Sequence, residues 1–340
     1  MNYRERLETL LEGGKVDRPP FMPAIYDLKP VFINASLHSF GQNEEELIRA
    51  LIFEADELQL ESLTVAYDIY NIEAEAIGCD ISRDPAMGMP EVSKPIIRSL
   101  SEIKKLKDLS EISERMPLFV NAAEKIQKMY GAVLPVRAGI SGPFSMAAKI
   151  FPQDKLLMDT MVNPEGVFEL LRYCTKIVKL YIKAYLKTQV GIVIFDSFVS
   201  PPMISPETYR ELVLPFHQEL FGMLKDNNIL QRTLIVGGNT ASLIPDFVKT
   251  GATQLLLDYN IPLERCKAIL QEYKDIVFRI NLPPALFVNI ETSELEAYIL
   301  NVLQSLKYCG NLIVGTGILP PNVPLQNILK AKEIIVDFYT

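Results

Sequence analysis

Histidine and cysteine are scarce. The 340-residue chain has two histidines, His38 and His217, and four cysteines, at positions 79, 174, 266 and 309. No two cysteines form a CxxC pair, so neither a His/Cys zinc cluster nor a disulfide framework is expected. Scattered free thiols fit a reducing, cytoplasmic setting. Positive charge is also in deficit: 34 Lys and Arg stand against 42 Asp and Glu, for a formal net charge of -8. No basic stripe stands out, and a nucleic-acid partner is not expected. Long uncharged apolar runs are missing as well. The most apolar long stretch, "YCTKIVKLYIKAYLKTQ", carries a lysine every few residues. That is the pattern of an amphipathic helix, not of a membrane span. The start, "MNYRERLETLLEGGK", lacks an apolar h-region, so no secretory signal is expected.

The apolar runs that do occur are short and number eight. They are "FMPAIY" (21–26), "SLTVAYD" (62–68), "VLPVRAGI" (133–140), "GIVIFDS" (191–197), "TLIVGG" (233–238), "QLLLD" (254–258), "DIVFRIN" (275–281) and "NLIVGTG" (311–317). Nearly continuous, β-branched apolarity marks strands buried on both faces, as in a parallel sheet. Helical patterns separate most of them, at 43–60, 164–188, 206–226, 261–273, 293–308 and 325–338. Start signals sit at "NPEG" (163), "SPET" (205) and "TSELE" (292), the last with acidic first-turn residues behind its cap.

Eight strands alternating with helices predict a single α/β domain over 1–340, a (β/α)8 TIM barrel. A doubly wound open sheet is the alternative. Residues 1–20 read as an N-terminal helical extension over the bottom or rim. The segment 72–132 is too long for one crossover and reads as an insertion after the second strand, near the barrel mouth. Within it, "EVSKPIIRS" (91–99) is a candidate extra strand, and a helix is expected near 112–130.

In such a barrel the C-terminal strand ends face the active site. The rule selects Asp68, Tyr70, Asn71, Glu73 and Glu75 after the second run, and Arg137 on the third. It also selects Asp196 and Ser197, then Gly237, Gly238 and Asn239, then Asp258, Asn281, Thr316 and Gly317. The set is polar and mainly acidic. Crowded carboxylates raise one another's pKa, which suits a general acid. Arg137 is expected to pair with one of these carboxylates, and His217 to pack within its helix. Each lone Asp at a strand end has a plain alternative, capping the next helix.

These residues, taken together, resemble the uroporphyrinogen decarboxylase superfamily. The start "ERLETLLEGGKVDRPPFMP" is similar to its opening helix and Asp-Arg-Pro-Pro turn. "EAEAIGCDI", "GISGPFSMA", "FDSFVSPPMISPETYRELVLPFHQEL", "GGNT" and "LPPNVPLQNI" follow in family order, so the resemblance runs from about residue 3 to 330. It implies a (β/α)8 barrel, in agreement with the strand count. It also implies one of two activities: decarboxylation of uroporphyrinogen, or movement of methyl groups to or from a corrinoid cobalt. The stretch "YDIYNIEAEAIG" is more like the methyltransferase branch. The decarboxylase branch has an arginine-rich stretch soon after the Asp-Arg-Pro-Pro turn, because its substrate bears eight carboxylates. Here 21–40 reads "FMPAIYDLKPVFINASLHSF", with one lysine and no arginine.

In thiol-methylating members, the stretch matching "IVGGNT" reads His-x-Cys-Gly-Asn-Thr, and a second Cys precedes the Leu-Pro-Pro run. Those three side chains hold zinc. Ile235, Gly237 and Gly317 stand in their places here, so zinc is not expected at the usual site and no metal ligand is assigned. A replacement set of Asp196, Glu73 and His217 stays open. The resemblance then implies an enzyme that moves a methyl group from a methoxylated aromatic to the cobalt of a corrinoid (cobalamin) carried by a separate protein. Asp196 or Glu73 is the expected acid, and Tyr70, Asn71 and Asn239 orient the substrate. Gly237, Gly238 and Gly317 admit a flat ring, and Asp68, Arg137 and Asn281 complete the binding set. The alternatives are another donor (a methylamine, thioether or sulfonium), a uroporphyrinogen decarboxylase-like enzyme, or an inactive binding subunit. The resemblance also implies a homodimer.

Overall fold

The structure is a computed structural model that describes residues 1–84, 89–289 and 292–340. Ten strands occur among them: β1 (Phe21–Ala24), β2 (Leu63–Val65), β3 (Ile81–Ser82), β4 (Glu91–Val92), β5 (Val136–Ser141), β6 (Gly191–Phe195), β7 (Arg232–Ile235), β8 (Gln254–Leu257), β9 (Val277–Leu282) and β10 (Leu312–Ile318). Eight form one parallel sheet in the order β1-β10-β9-β8-β7-β6-β5-β2. Each of the eight apolar runs is one of these strands. Helices follow the expected segments, among them Pro164–Leu186, Leu263–Glu272, Ser293–Leu306 and Leu325–Tyr339. The chain is therefore a curled, parallel eight-stranded barrel with its helices outside.

β1 and β2 end the strand order and share no ladder among the described residues. The seam between them is held by side chains at its lower end. Glu61, just before β2, accepts from the Phe21 N–H of β1 at 3.3 Å and pairs with Arg18 at 2.7 Å. Asp17 binds Arg6 of the first helix at 2.7 Å. The Asp-Arg-Pro-Pro turn is thus an ionic clasp that fastens the first helix under the barrel. Leu7 and Leu10 of that helix, Tyr3–Leu11, pack on Met22, Val277 and Ile313, which plugs the bottom.

Side chains alternate in and out along each strand. Two residues above Val277 and Ile313, the interior turns polar. Arg137 donates to Thr64 at 2.7 Å, Thr233 donates to Gln254 at 3.3 Å, and Arg279 donates to the Thr316 carbonyl at 2.6 Å. Gly315 makes room for Arg279: a Cβ there would lie 2.1 Å from its Nε. Above this layer Ala24, Tyr26, Ala66, Val193, Phe195, Ile235 and Leu256 form an apolar inner wall that leads to the mouth.

The insertion is less regular than its sequence implied. Of 91–99 only Glu91–Val92 is strand, paired antiparallel with Ile81–Ser82, and the helix spans Met116–Tyr130. The segment 206–226 is helical but contains one wide π turn at Tyr209–Val213. No helix among the described residues is long and apolar enough to cross a membrane.

Candidate active site

A cavity of about 450 Å³ opens at the C-terminal ends of the strands. Of the expected site residues, Asp68, Tyr70, Ser197, Gly237, Asp258, Asn281, Thr316 and Gly317 line it. Asp68 and Tyr70 have φ of 56° and 79°, in the left-handed region where side chains are disfavoured. The strained turn is held by Asp68, which accepts from Arg115 at 2.6 Å and from the Asn71 amide. Asn71 lies behind it, fully buried, and also donates to the Pro90 carbonyl at 2.8 Å. Its role is to hold the turn and its side chain does not reach the cavity.

Asp196 and Glu73, expected as acids, do not line the cavity. Asp196 is fully buried at the N-terminus of the helix Pro143–Ile150, where it accepts the N–H of Ser145 at 2.6 Å and of Phe144 at 3.3 Å. The Nε2 of His217 bonds its Oδ2 at 2.9 Å, and Nδ1 of the same ring bonds the Tyr209 hydroxyl at 2.8 Å. The helix N-terminus, the imidazole and the phenol form one closed buried chain. Gly142 lets the carboxylate in, since a Cβ there would fall 2.2 Å from Asp196 Cγ. Glu73 sits inside the helix Ile72–Ala76 and takes both the N–H and the hydroxyl of Ser141 at 2.7 Å. Burial raises its pKa, against those two bonds. Glu75, two residues on, points the other way to Arg83 and Arg115. The motifs "EAEAIG" and "GISGPFSMA" are therefore two halves of one buried joint.

Arg137 differs from its expected role. It forms no ion pair among the described residues and has one buried nitrogen, Nη1, without a partner. The cation that pairs with Asp68 is instead Arg115, supplied by the insertion, which a strand-by-strand reading cannot see. Gly238 and Asn239 stand outside the cavity wall. Gly238 has φ of 83°, and its N–H donates to Asp258 at 2.7 Å; Asn239 is exposed and its side chain accepts from Ala241 N at 3.4 Å. Asp258 also accepts from Asn281 at 2.9 Å and from its neighbour Tyr259 N at 3.0 Å, so it clamps the ends of β7, β8 and β9 together.

Among the lining residues that escaped the sequence reading are Tyr26, Asp27 and Arg279. Asp27 and Tyr26 follow the end of β1, the one strand end left off the list. Arg279 shares the inward face with Asn281, two residues on, so strand parity had the signal. Burial raises the Asp27 carboxyl to about 6, helped by the nearby charge of Asp68 and opposed by Lys29. Burial likewise pushes the Tyr70 hydroxyl up to about 12. Tyr26 packs edge-on against Phe195, with ring centroids 5.5 Å apart, and its hydroxyl is buried without a partner.

The family model described as uroporphyrinogen decarboxylase (URO-D) matches residues 2–336. The chain belongs to the URO-D family. Among its relatives within and around that family is the methylcobamide:CoM methyltransferase MtbA of Methanosarcina acetivorans. The two are 27% identical over 280 residues, 80% of this chain and 78% of the relative. The uroporphyrinogen decarboxylase of Koribacter versatilis is 26% identical over 295 residues, 84% of this chain and 80% of the relative. In fold, the chain matches a methyltransferase from Methanosarcina mazei with a TM-score of 0.85 over 100% of both chains, at 19% identity.

The zinc position that the resemblance implied does not fit that metal here. Ile235 is part of the apolar wall, and Gly237 and Gly317 have no donor atom. Both ring nitrogens of His217 are already hydrogen-bonded, and Glu73 is tied to Ser141. Among the described residues no group of three His, Cys, Asp or Glu is placed to hold a metal ion.

Proposed function

We propose that this URO-D family chain is a corrinoid-dependent methyltransferase, and that it takes its methyl group from a methoxylated aromatic. The reading is supported by the likeness to methylcobamide:CoM methyltransferases across four-fifths of the chain. The observation that carries the choice of donor is Asp27. A carboxyl with a pKa of about 6 lines a cavity whose walls include Tyr26, Tyr70, Phe195 and Tyr259, and the three positions of the thiol-activating zinc motif hold Ile235, Gly237 and Gly317 instead of ligands.

The acceptor, the cobalt of a corrinoid carried by a separate protein, supplies the nucleophile at the methyl carbon. The chain's own residues do the rest. The rings and Ile235 sandwich the aromatic part of the donor, and Gly237 leaves the space it needs. As the bond from methyl carbon to oxygen breaks, its electron pair stays on the oxygen. Protonated Asp27 gives that oxygen its proton, so the product leaves as a phenol. Asp196 and Glu73 act as positioning residues, holding the strand ends from behind the wall. Decarboxylation of uroporphyrinogen is less well supported. Arg279 and Lys149 are the basic side chains on the cavity, and Lys149 is paired with Glu91.

Incubation with a reduced corrinoid protein and a panel of methoxylated aromatics tests the reading. A spectrum of the methylated corrinoid and stoichiometric phenol are expected. Neither product across the panel, or equal turnover with Asp27→Asn, would count against it. A cationic donor such as a methylamine would also suit aromatic walls. Its turnover would not fall as Asp27 ionises, so the pH profile separates the two donors.

A further inference from the structure

We infer that the cavity floor is an oxyanion site: Arg279, backed by Arg137, takes a carboxylate or sulfonate on the end of the donor opposite its methyl group. The inference rests on the methyltransferase reading and names the class of donor.

Two guanidinium groups lie in the polar layer under the cavity, exposed by 1% for Arg137 and 2% for Arg279. Neither forms an ion pair among the described residues. Arg137 donates to Thr64 and Arg279 to the Thr316 carbonyl, both neutral acceptors. Each keeps a buried nitrogen without a partner, Nη1 of Arg137 and Nε of Arg279. Elsewhere the chain pairs its buried cations with care: Lys29 with Glu54, Arg18 with Glu61, Arg115 with Asp68. An uncompensated buried charge costs several kcal/mol, so two side by side are retained only where a ligand anion completes them. Burial brings the Arg137 guanidinium down to about 10; the neighbouring Tyr26 works against this and the like charge of Arg279 adds to it.

Arg279 lines the cavity, and one hydroxyl of the wall is also unsatisfied. The Tyr26 hydroxyl is buried without a partner and lines the same space, while the Nδ2 of Asn281 is already given to Asp258. The Tyr26 hydroxyl can donate to an oxyanion beside the guanidinium. Four carboxylates share the cavity with this floor. Asp68 pairs with Arg115, Glu91 pairs with Lys149 at the rim, Asp258 is held by three neutral donors, and Asp27, which carries its proton below about pH 6, stands beyond the end of β1. Orientation follows from depth. Arg279 stands two residues below Asn281 on β9, while Asp27 follows the end of β1. An anion on Arg279 points the rest of the donor toward the mouth, where a cobalt on another protein can reach the methyl group and Asp27 can reach the leaving oxygen.

The test is isothermal titration of the full chain without any corrinoid protein, so that it is independent of turnover. 4-Methoxybenzoate, 4-methoxybenzenesulfonate and the neutral isostere 4-methoxybenzamide are compared. At least one anion is expected to bind ten-fold or more tighter than the amide, and which one identifies the head group. Arg279→Gln should erase that preference and Arg279→Lys should keep part of it. If Arg279→Gln does not fold, the contrast on the unaltered chain decides alone. An amide that binds as well as both anions, no binding of either anion, or a folded Arg279→Gln that keeps the preference would each overturn the inference. Methyl transfer from a neutral ether, with no anion preference, would sink this inference and leave the proposed function standing. Anion binding with no methyl transfer would do the reverse.

Discussion

At the scale of the residue, Asp27 has the sharpest consequences. A general acid works in its protonated form, so kcat/KM should fall as pH rises through about 6, where the Asp27 carboxyl titrates. The acid contributes roughly 100-fold or more where such groups have been removed. Asp27→Asn should therefore lower kcat by about that factor with KM little changed, and should flatten the pH profile. The same residue weakens the fold. Its pKa is raised in the folded chain, from 3.8 to about 6, so the folded state holds the proton more tightly than the unfolded one. That contribution is complete below the unfolded value and is lost as pH rises through the folded one. At pH 7 Asp27→Asn should accordingly raise stability, by at most about 3 kcal/mol, and melting curves at pH 4 and pH 7 should show the gain only at the higher pH. An inactive variant that melts no higher than the parent at pH 7 would contradict this account.

At the scale of the element, the glycines at the strand ends separate space for substrate from space for packing. A Cβ on Gly237 would meet nothing nearer than Asp258 Oδ2 at 3.6 Å, whereas one on Gly317 would lie 2.6 Å from Pro284 Cγ and 2.8 Å from Tyr259. Gly237→Ala should leave the melting temperature unchanged and raise KM for the donor. Gly317→Ala overpacks the end of β10 against Pro284 and Tyr259 and should cost about 1–3 kcal/mol of stability. Steady-state kinetics and melting on the same preparations check both. The joint behind the wall makes the opposite kind of prediction. Asp196→Ala removes the acceptor for two helix N–H groups and for His217, and should destabilise by about 3 kcal/mol. The loss should appear in denaturant melts before it appears in kcat at low temperature.

At the scale of the whole molecule, no group of three His, Cys, Asp or Glu among the described residues is placed to hold a metal ion, and the expectation is that the barrel closes and binds without one. Prolonged dialysis against a chelator should change neither the melting temperature nor donor affinity, and metal analysis should find well below one zinc per chain. Zinc in stoichiometric amount, lost with Asp196→Ala or Glu73→Gln, would mean that the buried joint rearranges to ligate it. Uroporphyrinogen should be neither decarboxylated nor tightly bound, because the floor offers an anchor for one oxyanion and the substrate brings eight carboxylates.

The sequence by itself determined the barrel, because each buried parallel strand is written as a local run of apolar residues that needs no partner to be recognised. It determined the family through motifs in order, and through Ile235, Gly237 and Gly317 it showed where metal donors are missing. It also marked Asp68, Tyr70, Asn281 and the two lining glycines by their place at strand ends. It did not separate a carboxylate that faces substrate from one that faces the structure. Asp196 and Asp27 both follow a strand, yet one is sealed under a helix N-terminus with His217 and the other stands at the cavity. The difference lies in partners 21 and 51 positions away, His217 and Ser145, that close over Asp196. Likewise the partner of Asp68 is Arg115 from the insertion, and Arg137 and Arg279, 142 positions apart, meet in one layer only when the sheet curls. Charge pairing, burial and orphaned hydrogen-bonding atoms are properties of neighbours in space, so the tertiary structure alone decided which polar residues hold the barrel together and which are left for a ligand.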